Sequence, residues 1–115
     1  MKRPDDKVRL RHMLDAAHTA EEFARGRSRD ELSSDRMLNL SLTRLLEILG
    51  EAAKGISRDL RNRFPEVPWN SVAGTRDVLT HDYFDVDLDI VWHIVTEDLP
   101  PLIRHLEEII SQEGG

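Results

Sequence analysis

The residues best suited to chemistry lie together in Arg76-Asp77-Val78-Leu79-Thr80-His81-Asp82-Tyr83. An imidazole with a pKa near 6.5 takes or gives a proton at neutral pH, so His81 is the candidate acid–base group. A guanidinium can grip a phosphate through two parallel hydrogen bonds and stabilise charge that develops on it, the role open to Arg76. Together they suit the making and breaking of phosphodiester bonds. Arg76 and Tyr83 are seven apart and share a face if the segment is helical, whereas His81 lies about 140° round from Arg76. His81 and Arg76 therefore converge only if the helix frays or a second chain contributes. Spacing alone equally allows a surface arginine and histidine flanking an amphipathic helix, with Tyr83 packed by its ring.

Other chemistries fit less well. His12, His18, His81, His93 and His105 include no helical His pair with an intervening glutamate, the arrangement that metalloproteases use. Asp85, Asp87 and Asp89 imitate the start of a calcium loop, but Ile90 stands where glycine is required and Thr96 where a bidentate glutamate belongs. No Gly-Ser phosphate loop precedes Asp85-Val86-Asp87, and no Gly-rich loop carries a phosphate-binding lysine. No metal and no cofactor are expected.

The elements that must position these residues read as helices. Asp5 or Asp6 can cap a first helix whose stripe is Leu10, Met13, Leu14, Ala17, Ala20 and Ala24, ended by Gly26. Ser28 and Glu31 have capping-box spacing. From about Ser34 a long helix carries Leu38, Leu42, Leu45, Leu46, Leu49, Ala52, Ala53 and Ile56, with a stop near Gly55. Ser57 can cap a short helix that ends before Pro65, and Phe64 to Trp69 is an extended link. A helix from Pro68 or Trp69 to roughly Asp82 turns Val72, Val78 and Leu79 inward. The last helix follows Asp85, Asp87 or Asp89 and carries Val91, Ile94, Val95, Leu99, Leu102, Leu106 and Ile109, with a kink or break at Pro100-Pro101. The fold class is all-α, a small single-domain helical bundle over residues 1–115.

Composition bounds the rest. A chain of 115 residues holds one core. No apolar run is long enough for a membrane span, and the N-terminus lacks the apolar stretch of a secretory leader. With no cysteine, no disulfide or thiolate site exists, and the expected compartment is cytoplasmic. A net charge of −6 argues against a generic nucleic-acid coat, since non-specific binding rests on Lys and Arg neutralising phosphates. Two arginine clusters, Arg25/Arg27/Arg29 and Arg58/Arg61/Arg63, can form a local basic cleft or simply cover helix ends.

The segment Pro68-Trp69-Asn70-Ser71-Val72-Ala73-Gly74-Thr75-Arg76-Asp77-Val78-Leu79-Thr80-His81-Asp82-Tyr83-Phe84 resembles the signature of the HepT family, HEPN-superfamily toxins of MntA–HepT toxin–antitoxin systems. The shared motif is an arginine, four to six residues, a histidine, any residue and a tyrosine. Flanking likeness runs through Glu47-Ile48-Leu49-Gly50-Glu51-Ala52-Ala53-Lys54, Val86-Asp87-Leu88-Asp89-Ile90-Val91-Trp92 and Asp98-Leu99-Pro100-Pro101-Leu102, most of the chain. The resemblance implies a HEPN-type bundle acting as a metal-independent endoribonuclease on RNA, built as a homodimer with its cleft at or near the subunit interface. It implies that Arg76 and His81 are the catalytic pair. Tyr83 would be the residue that a partner antitoxin, an MntA-like nucleotidyltransferase, silences with AMP. The alternative is a non-catalytic helical module that docks such a nucleotidyltransferase. Asp77, Asp82, Asp85, Asp87 and Asp89 surround the motif with negative charge that repels RNA unless they cap helices, orient His81 or meet a basic partner.

Overall fold

The computed structural model describes residues 5–79 and 86–113, and among these every regular element is helical. The order is α1 (Asp6–Ala24), α2 (Arg29–Ser34), α3 (Arg36–Lys54), α4 (Arg58–Arg63), α5 (Trp69–Ala73), α6 (Thr75–Leu79), α7 (Leu88–His93), a π-helical segment (Ile94–Asp98) and α8 (Leu99–Gln112).

Local sequence signals set most boundaries. The Asp5 side chain accepts from Val8 N and starts α1, and Gly26, the only described residue with positive φ (74°), lets the chain turn away after it. Ser28 and Glu31 form the reciprocal capping box of α2. The long helix, expected from about Ser34, starts at Arg36, because Asp35 provides the cap, accepting from Leu38 N. Ser57 caps α4 and also donates to Asp6, Oγ to Oδ2 at 2.6 Å, while its amide donates to Asp6 Oδ1 at 2.9 Å. That contact joins the start of α1 to the end of α3, so the two nineteen-residue helices run antiparallel.

Leu10, Met13, Leu42, Leu46, Leu49, Leu99, Leu106 and Ile109 are fully enclosed between α1, α3 and α8 and make one core. Each such side chain contributes about 1.5–3 kcal/mol of apolar burial. Trp69 closes one end: its ring is buried and its Nε1–H donates to Phe64 O at 2.9 Å, fixing the extended link between α4 and α5.

Two elements depart from expectation. The helix expected from Pro68 or Trp69 to roughly Asp82 is, over its described residues, two short helices: Gly74 closes α5, and Thr75 opens α6 at once. The end of that expectation lies outside the described residues. Leu79 is buried, in phase with Val72, while Val78, expected inward, is 53% exposed, since six residues put it about 240° round from Val72. In the last helix the disturbance at the proline pair falls just before it. The chain widens into the π-helical segment, and α8 begins at Leu99 with Pro100 and Pro101 in its first turn, where a missing amide costs nothing. No described helix is long and apolar enough to cross a membrane.

Candidate functional site

Arg76 sits in the first turn of α6, and the middle-to-late part of α3 positions it. Gly50 is the reason α6 can come so close. A Cβ at this position would stand 3.3 Å from Val72 O and 3.5 Å from both Ala73 O and Arg76 N. At a helix–helix contact this tight, glycine lets backbone approach backbone. Thr75, the one buried polar residue of the described core, directs its hydroxyl to Ser71 O at 3.3 Å and satisfies a carbonyl at the α5–α6 break.

One residue beyond Gly50, Glu51 reaches Arg76. Glu51 Oε1 accepts from Arg76 Nη1 at 3.1 Å, with the two side chains 47% and 56% exposed. No other described residue accepts from the Arg76 guanidinium, so its Nε–H and Nη2 donors have no partner among the described residues. His81 and Tyr83 lie outside the described residues, as do Thr80, Asp82 and Asp85. The chain on either side is joined: Asp87 N donates to Leu79 O at 2.7 Å, beside the contact of α6 with α7.

The aspartates near the motif divide by role. Asp87 caps α7, its Oδ1 accepting from Asp89 N and Ile90 N at 3.1 and 3.2 Å. Asp89 accepts from Arg29 Nε at 2.6 Å and ties α7 to α2. Asp77 is exposed beside Arg76. Two of the five charges thus serve the fold and are partly neutralised by it.

Arg27 and Arg29 of the first arginine cluster are spent on ion pairs, whereas Arg58 and Arg61 of the second line an open pocket of about 530 Å³ with Asn62, Trp69 and Asn70. Arg27 bridges Glu31 and Asp35 at 2.6 Å each, and these bonds push the Arg27 pKa up and hold both carboxyls below their ordinary range. Arg61 lies over the end of α3, its Nη2 donating to Ala53 O at 2.8 Å and Lys54 O at 3.4 Å and its Nε to Ile56 O at 3.3 Å. Arg63 grips both oxygens of Glu113 at 2.9 and 3.0 Å. Only Arg25 and Arg58 of the six stand exposed without such a role among the described residues.

Beside α6 runs a groove of about 690 Å³ between α5–α6 and the α7–α8 helix. Leu49, Val72, Val78, Ile94 and Leu102 make it mainly apolar, and His93 and His105 stand at its wall. Among the described residues no three His, Asp or Glu side chains converge as a metal site.

Sequence reasoning missed Gly50 and Glu51 as parts of the site. One signal was available: a glycine inside the apolar stripe of a helix weakens it by about 1 kcal/mol and calls for a packing reason.

Comparison with known proteins points the same way. Residues 13–109 match the family described as Ribonuclease HepT-like. A Methanocaldococcus jannaschii protein named "Putative RNase MJ1380" is 36% identical over 107 residues, 93% of this chain and 98% of that protein. A Thermococcus cleftensis protein named "Probable ribonuclease HepT" is 38% identical over 100 residues, 87% of this chain and 91% of its own. "Putative RNase TTE0752" of Caldanaerobacter subterraneus is 35% identical over 104 residues, 90% and 93% of the two chains. No solved structure matches.

Proposed function

The chain belongs to the HepT-like ribonuclease family and is an RNA endonuclease; from that premise we propose that it is the metal-independent toxin of a type VII toxin–antitoxin pair, with Arg76 and His81 as the catalytic pair. The observation that carries this reading is Arg76 itself, held at its backbone by the α3 contact and with only one of its nitrogens partnered among the described residues. In this scheme the substrate's 2′-hydroxyl loses its proton to a base and attacks the adjacent phosphorus. The phosphorus–5′-oxygen bond breaks, and the leaving oxygen takes a proton. The products are a 2′,3′-cyclic phosphate and a 5′-hydroxyl. His81 moves the protons and Arg76 meets the charge gathering on the phosphate oxygens.

Regulation follows from Tyr83, the chain's single tyrosine. AMP placed there by an MntA-like nucleotidyltransferase antitoxin would add negative charge and bulk two residues from His81, opposing RNA. The groove along α6, with Val78 exposed at its side, supports a homodimer whose second chain completes the cleft.

The deciding experiment incubates purified protein with RNA in EDTA and analyses the ends produced. Cyclic phosphate ends, lost by on the order of a hundredfold or more in His81→Ala, are expected. Activity that needs a divalent cation, or survives His81→Ala, overturns the scheme. RNA left intact while the protein still binds its nucleotidyltransferase establishes a docking module instead. After co-expression with that enzyme, intact mass should show AMP on wild type and none on Tyr83→Phe.

A further inference from the structure

We propose that Glu51 is a positioning residue for Arg76, holding its guanidinium by one nitrogen so that the remaining edge faces a phosphate already oriented. The proposal rests on the ribonuclease reading above and adds to it a residue on a different helix.

Three observations carry it. First, α3 fixes the two ends of Arg76 separately: Gly50 admits its backbone and Glu51, the next residue, takes its side-chain tip. An arginine side chain has several rotatable bonds, and with root and tip both held, little of that freedom remains to be lost when a phosphate binds. Second, the contact is a single hydrogen bond, Nη1 to Oε1 at 3.1 Å. A carboxylate that gripped the guanidinium bidentately would compete with phosphate for the same fork; one bonded through a single nitrogen leaves a second pair of parallel donors free. Third, both partners are about half exposed. Ion pairs so open to water add little to stability, so fold maintenance does not account for this one.

The test uses the full-length protein and Glu51→Ala and Glu51→Gln. Because Glu51 is exposed, both variants should fold as wild type does, which a thermal melt verifies. The first readout is the Arg76 Nε–Hε NMR signal, assigned by its loss in Arg76→Ala. Expected is a signal distinct from mobile arginines in wild type, retained in Glu51→Gln, whose amide oxygen still accepts, and merged with the mobile arginines in Glu51→Ala. The second readout is cleavage of a fluorescent mixed-sequence single-stranded RNA. Glu51→Ala should lower kcat about tenfold with KM within about twofold, as misplacement of a transition-state contact does. Glu51→Gln should stay within about threefold of wild type, and Glu51→Ala should have no further effect in an Arg76→Ala background. An Arg76 signal unchanged in Glu51→Ala overturns the proposal, as does an unchanged kcat or a loss that adds in full to that of Arg76→Ala. If wild type cleaves no RNA, the ribonuclease reading fails by itself, and the NMR signal still decides whether Glu51 fixes the guanidinium.

Discussion

Arg61 and Arg76 both dock against the C-terminal half of α3, yet they are used in opposite ways. Arg61 donates to three backbone carbonyls and to Asn70 Oδ1, so each of its three nitrogens is engaged. Arg76 gives one nitrogen to Glu51, and no other described residue meets it. The first arginine closes a helix end whose carbonyls lack partners within the helix. The second is oriented, and its remaining donors meet no described residue. Charge and exposure separate these roles poorly; the number of acceptors that a guanidinium already meets separates them well.

The largest effect should come from exchanging the two losses. Arg76→Ala should lower RNA cleavage by about a hundredfold or more and leave the melting temperature nearly unchanged. Arg61→Ala should do the reverse: a loss of roughly 1–2 kcal/mol from freed carbonyls and cleavage per folded molecule within a few-fold of wild type. Parallel melts and single-turnover assays on the two variants check this, and a melting temperature that falls equally in both would erase the distinction.

A smaller effect is expected from Gly50→Ala. Alanine suits a helix interior better than glycine by about 1 kcal/mol, but the new Cβ would press on Val72 O at 3.3 Å. These effects oppose each other in stability, whereas displacement of α6 acts on Arg76 alone. Cleavage should therefore fall several-fold while the melting temperature moves by only a few degrees, and the Arg76 Nε signal should shift.

The smallest effect belongs to the α2 region. Glu31 and Asp35 are held below their ordinary pKa by Arg27. A carboxyl lowered in the folded state contributes stability that is fully present above the unfolded pKa, near 4, and disappears as pH falls through the folded value. Arg27→Ala should thus lower the stability plateau above about pH 4 and converge with wild type as pH falls below it, which flattens the acid side of the stability–pH profile. Since these groups are solvent-exposed, the change is modest. Denaturant midpoints measured from pH 2 to 7 test it.

Much of this architecture was legible in the sequence because its signals are local. Asp5, Ser28 and Ser57 mark helix starts that the structure contains, and the stripe from Val91 to Ile109 is buried throughout. The break at Gly74 was not legible, because Val72 and Leu79, seven apart, stay in phase across it and imitate one continuous helix. α3 packs against this break at Gly50, a contact that no local spacing announces. Arg76 was identifiable as a chemical group from its type. Glu51, twenty-five positions earlier, had no spacing to announce it. The functional arginine could be read along the chain, but its orientation could be read only across it.

The π-helical turn at Ile94–Asp98 has a consequence for how this chain tolerates changes of length. Its Thr96 hydroxyl donates to Trp92 O at 2.8 Å, and Thr96 and Glu97 both face solvent while Val95 and Leu99 are buried. A π turn holds one residue more than the α turn it replaces. Deleting Thr96 or Glu97 would bring Val95 and Leu99 to a spacing of three, still one face of an α-helix. The turn is thus a slack residue in the backbone, the form that a one-residue insertion leaves in a helix, and α7–α8 can shorten there without uncovering its core face.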